Sequence, residues 1–180
     1  MDWMANRDGI DFLMREVWPL VASARPKAEM LVVGRNPPQA LINRADKNSW
    51  TFTGFVDDVR QHIRRGSVYV VPLRVGGGTR IKVYEAMAMG CPIVSTTIGV
   101  EGLPVIDGEH YIRADTPADF ATALTSLLTN AEMRERLSRN ARSLVQREFS
   151  AHRAAQVFES ICLDTMDRVN PGGVDHQQTP

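Results

Sequence analysis

The sequence predicts an α/β fold: a Rossmann-like, doubly wound parallel sheet with helices on both faces, followed by C-terminal helices. Three observations carry that expectation. Short apolar runs recur along the chain, separated by segments of helical spacing. One of them, Val68-Tyr69-Val70-Val71-Pro72, has no polar alternation, as expected of a strand buried on both faces. The chain also opens with a helix, whereas this fold normally starts with a central strand carrying the first phosphate loop, so the domain's first strand is expected to be missing.

Asp8 to about Arg25 reads as an amphipathic helix, because Ile10, Leu13, Met14, Val17, Trp18 and Val21 recur at three- and four-residue steps. Pro26 ends it. Met30-Leu31-Val32-Val33, stopped by Gly34, is the first strand expected, and Trp50-Thr51-Phe52-Thr53 before Gly54 is the second. Asp57 or Asp58 should cap a helix running to about Arg65. The Val68 run is the third strand, and Pro92-Ile93-Val94-Ser95 the fourth. A link from Thr96 to His110 leads to a short strand near Tyr111-Ile112-Arg113. Thr116-Pro117 opens a helix with a cap followed by proline at the first helical position. Helices are expected over Ala118–Leu128, Ala131–Phe149 and Ala151 to about Val169, so residues 1–169 form one domain and Asn170–Pro180 a disordered tail.

The bulk numbers exclude several classes. The 180 residues suffice for one domain with a sizeable core. Twenty-one basic residues balance 21 acidic ones, so no field for a polyanion arises and nucleic acid is not an expected partner. Cys91 and Cys162 are far apart and have no metal spacing, and His62, His110, His152 and His176 are dispersed, so no metal is expected. No apolar run approaches the roughly 20 residues of a membrane span, and the polar start is unlike a signal peptide. A cytoplasmic location is expected, at the inner membrane surface for the full-length enzyme.

The chemistry concentrates between Val71 and Pro92. An apolar strand runs into Gly76, Gly77 and Gly78, and the glycines open a helix at Thr79 with Arg80, Lys82 and Glu85 near its start. Backbone N–H groups at a helix start, flanked by cations, form a site for a phosphorylated ligand. A glycine triplet alone more often marks a flexible turn; the strand before it and the helix after it are the context a phosphate loop requires. The helix is apolar almost all round and should be buried. Lys82 and Glu85 share one face, so they either serve a ligand or simply pair with each other at a rim. Asp107-Gly108-Glu109-His110 reads as a solvated turn, Cys91 as structural, and Met87 and Met89 as core filling.

The block Gly-Gly-Gly-Thr-Arg-Ile-Lys-Val-Tyr-Glu-Ala-Met-Ala-Met-Gly-Cys-Pro from Gly76 to Pro92 resembles the group 1 glycosyltransferases of the two-domain GT-B type. Leu31-Val32-Val33-Gly34-Arg35-Asn36-Pro37, Gly54-Phe55-Val56-Asp57-Asp58 and Thr97-Ile98-Gly99-Val100-Glu101-Gly102 agree, in the same order. The resemblance covers about Asp2 to Phe149 and only the C-terminal, donor-binding half of such enzymes. It implies a nucleoside-diphosphate sugar as substrate, retention at the anomeric carbon, no metal or other cofactor, and a separate N-terminal domain as partner. It implies that Arg80 and Lys82 bind the donor diphosphate as catalytic cations and that Glu85 accepts from ribose hydroxyls. Gly76, Gly77, Gly78 and Thr79 would complete the phosphate loop, Gly54, Phe55 and Val56 would line the base, and Arg35 would face the donor cleft. Two positions depart from the pattern: Gly77 stands where many relatives carry a second glutamate, and Asp8 stands before Gly9 where relatives often have lysine, with Arg7 adjacent. A chain without the N-terminal domain is expected to be incomplete for catalysis, and the alternative is a non-catalytic or truncated nucleotide-binding or interaction module. A nucleotide-sugar epimerase would need further acid–base residues near the donor. The last helix, through Ala155, Phe158, Ile161 and Cys162, offers an apolar face for self-association.

Overall fold

In a computed structural model, residues 3–76, 78–149, 158–160 and 163 are described. The chain divides into two compact units, Met1–Ser143 and Leu144–Pro180. The first unit is an α/β layer structure of short parallel strands flanked by helices.

The opening helix is longer than its apolar periodicity suggests. Helix α1 (Met4–Phe12) passes through one π turn (Leu13–Val17) into α2 (Trp18–Ala24). Pro19 explains the π turn: its ring lacks an N–H and would strike the carbonyl one turn back. The backbone widens there, and the Trp18 amide donates to the Leu13 carbonyl, an i to i−5 bond. The helix ends at Ala24, as Pro26 requires.

Strand β1 (Met30–Val32) pairs in parallel with β2 (Trp50–Phe52). Between them lies α3 (Gln39–Arg44), which the sequence did not announce: it buries only Leu41 and so has no visible period. Helix α4 (Val59–Arg65) starts at Asp58, whose carboxylate accepts from the Arg60 amide. Strand β3 (Tyr69–Val71) pairs with β4 (Ile93–Ser95), and β4 with β5 (Ile112–Arg113), all parallel. Helix α5 (Ile81–Ala88) joins β3 to β4. Helix α6 (Pro117–Thr129) carries a full capping box: Thr116 Oγ1 accepts from the Asp119 amide, and Asp119 from the Thr116 amide. Helix α7 (Ala131–Glu148) follows.

The core is built where the long opening helix and α6 lie on the strands. Phe12, Leu13, Val17, Trp18 and Val21 meet Phe120, Ala123, Leu124 and Leu127 over Val32, Trp50 and Val94. Trp18 and Trp50 meet edge to face at 5.3 Å, as do Phe12 and Phe120 at 5.7 Å, geometries that add to simple area burial.

Two expectations need correction. The strands form not one sheet but two, β1-β2 and β3-β4-β5. In the doubly wound order 3-2-1-4-5-6, removing the central strand leaves these two fragments. For the same reason β3 is not buried on both faces: Val71 is buried, but Tyr69 and Val70 are only half-buried. The truly covered strand is β4, buried at Ile93, Val94 and Ser95.

In the second unit, the Phe149 amide closes the last helical turn on the Val145 carbonyl at 2.9 Å, and Phe158 is exposed. The expected helix over Ala151–Val169 is described only at Phe158–Ser160 and Leu163; its other residues, and the tail Asn170–Pro180, lie outside the described residues.

Candidate functional site at the carboxyl ends of the strands

Parallel pairing places the carboxyl ends of paired strands on one edge, where this fold class binds ligands. The loops after β1 and β2 are tied there by the Gly34 amide, which donates to the Gly54 carbonyl at 3.3 Å. Gly54 has φ 70°, a left-handed conformation that suits glycine. Arg35 and Phe55 are exposed beside this bond, and Val56 is half-buried.

The loop after β3 is held from several directions. Gly76 and Gly78 have φ 111° and 101°, conformations that other residues rarely adopt. A Cβ on Gly76 would lie 2.9 Å from the Trp3 indole, so the start of α1 packs directly on the glycine loop. Lower down, a Cβ on Gly9 would lie 2.7 Å from the Pro72 carbonyl oxygen, so α1 needs glycine there to approach the loop. Arg74 then forks onto Asp8, at 3.0 Å and 2.6 Å, and its guanidinium lies 4.8 Å from the centre of the Phe12 ring. That pairing holds the Asp8 carboxyl below its ordinary pKa. Asp8, the departure from a basic residue, is therefore a clamp between α1 and the loop.

Thr96, at the end of β4, ties the same loop to the next one. Its hydroxyl donates to the Leu73 carbonyl and accepts from the Gly99 amide at 2.9 Å. The 3-10 turn Ile98–Val100 lies against the strand ends, and a Cβ on Gly99 would fall 2.2 Å from Ser95 Oγ. Neither Thr96 nor Ser95 was singled out from sequence; a lone hydroxyl at a strand end carries no pattern.

Arg80 occupies a position its spacing did not reveal. It precedes the first turn of α5, only 6% exposed, and its Nη2 donates to the Ile98 carbonyl at 2.7 Å and the Gly76 carbonyl at 3.2 Å. Glu101 lies 3.6 Å away. The guanidinium thus joins the glycine loop to the Ile98 turn from beneath. Lys82 and Glu85, by contrast, are exposed on α5, and among the described residues no ion pair joins them. The rim pairing considered above is not formed. Helix α5 is also less buried than expected: Val83, Ala86 and Met87 face the core, but Ile81 is 58% exposed.

The amino end of α5 is open. No side chain caps it; the Val83 and Tyr84 amides turn back to the Arg80 carbonyl. The amides of Ile81 and Lys82 have no partner among the described residues. Helices α4 and α6 have those groups satisfied by Asp58 and Thr116. Gly77 lies outside the described residues, and Thr79 is exposed just before the helix.

Elsewhere, His110 is not solvated as expected: it is buried, and its Nδ1 accepts from the Ile106 amide at 3.0 Å. The turn needs that bond, and Asp107 completes it by accepting from the Arg113 amide at 2.7 Å. Cys91 is buried, Sγ on the Ile63 carbonyl at 3.4 Å, and burial pushes its thiol pKa up, away from nucleophilic use. Among the described residues there is no group of three His, Cys, Asp or Glu that could hold a metal ion, and no helix long and apolar enough to cross a membrane.

The family model described as glycosyl transferases group 1 matches residues 1–130. The chain belongs to that family. A group 1 glycosyl transferase is thus the frame for the relatives. A phosphatidyl-myo-inositol mannosyltransferase of Mycobacterium leprae is 32% identical over 136 residues, covering 72% of this chain and 36% of that protein. The C-terminal domain of a group 1 family glycosyl transferase from Francisella tularensis superposes with TM-score 0.66 at 18% identity, covering 82% of this chain and 80% of that one. Anabaena HepE in complex with UDP superposes with TM-score 0.68 at 16% identity, covering 82% of this chain and 45% of that one. At such identities the superpositions establish the fold, that of the Rossmann-like half of GT-B enzymes. The chain spans 36%, 42% and 44% of the length of three curated relatives it matches.

Proposed function

We propose that this domain holds a nucleoside-diphosphate sugar for transfer of its glycosyl group. The observation that carries the reading is the open amino end of α5. Two unpartnered amides there adjoin a glycine loop, in a family whose members transfer sugars. A helix start offers roughly half a positive charge, and a diphosphate supplies the acceptors its amides lack.

The residues divide the work by their placement. The Ile81 and Lys82 amides and the Lys82 ammonium bind the phosphates. Arg80, with its donors spent on Gly76 and Ile98, keeps the loop in position and adds charge from beneath. Glu85, a turn further on, accepts from the ribose hydroxyls. Gly54, Phe55 and Val56 border the base, with Arg35 across the Gly34–Gly54 bond. As the glycosidic bond breaks, negative charge grows on the departing diphosphate, and preorganised donors lower that barrier. The acceptor is read by a separate N-terminal domain, so turnover requires it. No metal is needed for the binding described. UDP in the Anabaena HepE structure supports a nucleoside diphosphate as ligand class.

The test is a thermal melt of the chain with UDP, GDP or ADP at millimolar concentration. One of them raises the melting temperature, and Lys82→Ala and Glu85→Ala each abolish the rise while leaving the unliganded melt within a degree or so, since both side chains are exposed. No rise with any diphosphate refutes the proposal.

A further inference from the structure

The two sheets end on edges that nothing in the described structure pairs. Strand parity identifies their free groups. On β1, the Met30 amide donates to the Ser49 carbonyl at 2.7 Å and the Val32 carbonyl accepts from the Thr53 amide at 3.1 Å. Met30 and Val32 therefore bond towards β2, and the Leu31 N–H and C=O face the opposite side. On β3, the Tyr69 amide donates to the Pro92 carbonyl at 2.8 Å and the Val71 carbonyl accepts from the Thr96 amide at 3.2 Å. The Val70 N–H and C=O thus face away from β4. Among the described residues no backbone hydrogen bond joins β1 to β3.

Both edges lie under the same helices. Val32 and Val94 belong to one core with α2 and α6, and the half-buried Met30, Val68 and Val70 pack against it. The side chains beside the edges are apolar and incompletely covered: Leu31 is 40% exposed, unusual for a residue of an inner parallel strand. Long unpaired edges are ordinarily blunted by charge or proline; Leu31, Val32, Val68, Tyr69 and Val70 offer neither.

We infer that the space between β1 and β3 is an acceptor slot for one further β-strand, running parallel to both. Its occupant is an apolar segment of about five residues, rich in β-branched side chains, since both faces it would present are core-facing. Its direction is fixed by its neighbours, and its carboxyl end lies at the edge where Trp3 packs on Gly76. A glycine-containing turn from there would lead into α1. The strand is polypeptide other than residues 3–149, supplied in cis ahead of residue 1 or in trans. With it in place the order becomes β2-β1-strand-β3-β4-β5, one continuous parallel sheet.

Hydrogen exchange on the full 180-residue chain tests this, with amides read individually by NMR. In the chain alone, the Met30 and Tyr69 amides are protected and those of Leu31 and Val70 exchange quickly. The probe is the peptide Lys-Val-Val-Ile-Val-Val-Gly-Ser, used free and also fused ahead of Met1. A control version carries proline at its central positions, where it cannot donate. The expected result is a rise of about tenfold or more in protection at Leu31 and Val70, with a higher melting temperature, from the probe in either form but not from the control. Three results overturn the inference: fast exchange at both amides with either form of the probe; a stabilisation that the proline control reproduces; and protection in the chain alone that grows with protein concentration, which gives the slot to a second copy.

Discussion

Replacing Arg80 separates a residue that holds the phosphate loop from one that merely waits for a ligand. Its side chain is buried, and one guanidinium nitrogen serves the Ile98 and Gly76 carbonyls at 2.7 Å and 3.2 Å. Hydrogen bonds from a charged donor contribute about 1.5–3 kcal/mol each. The Gly76 bond is long and its carbonyl sits in an exposed loop that water can reach, so it belongs at the low end. Arg80→Ala should therefore cost about 2–4 kcal/mol, out of a total that is typically 5–15 kcal/mol. For a chain of this size that corresponds to a fall of roughly 5–15 °C in melting temperature. Arg80→Lys keeps the charge, but a single ammonium cannot reproduce the planar fork, so it should recover less than half of the loss. Thermal and urea melts without nucleotide give both numbers. An Arg80→Ala protein that melts within about a degree of the parent would refute the claim that this side chain ties the glycine loop to the Ile98 turn.

Two further outcomes follow from close packing and burial. Gly9→Ala should raise stability on helix propensity alone by up to about 1 kcal/mol. The added Cβ would meet the Pro72 carbonyl oxygen at 2.7 Å, so the structure instead calls for a net loss of roughly 1–2 kcal/mol, read from the urea midpoint; a more stable variant would contradict the approach of α1 to the loop. The Tyr69 phenol is pushed up to about 12, chiefly by burial and then by the Glu85 carboxylate. Its folded pKa lies above the unfolded value near 10, so its contribution is complete below pH 10 and is lost as pH rises towards 12, by at most about 3 kcal/mol. Urea melts across that range should show a shallower alkaline decline for Tyr69→Phe, and an unchanged slope would remove Tyr69 as the cause.

Much of the fold was legible because its signals are local. A short apolar run closed by glycine marks β1 and β2, Asp58 and Thr116-Pro117 mark helix starts, and Pro26 marks a stop. What escaped depends on partners distant in sequence. The true start of α1 at Met4 carries no apolar period, and its packing is decided by Trp3 against Gly76 and Gly9 against Pro72. The π turn answers a single proline, and α3 buries only one leucine. Burial of β3 was inferred from its composition, but composition cannot register an absent neighbouring strand. At the site, the glycine loop and the Lys82–Glu85 face were readable from order and spacing. The turn of Arg80 beneath the loop was not, because its acceptors at Gly76 and Ile98 are backbone carbonyls and leave no mark on side-chain pattern.

The claim that the amino end of α5 receives a diphosphate is tested most directly by titrating the ¹⁵N-labelled chain with whichever of UDP, GDP or ADP raises its melting temperature. The Ile81 and Lys82 amide resonances should move most, saturably and together with Gly78. If those two amides stay in place while others titrate, or if none titrates at millimolar nucleotide, the phosphates do not bind at this helix start.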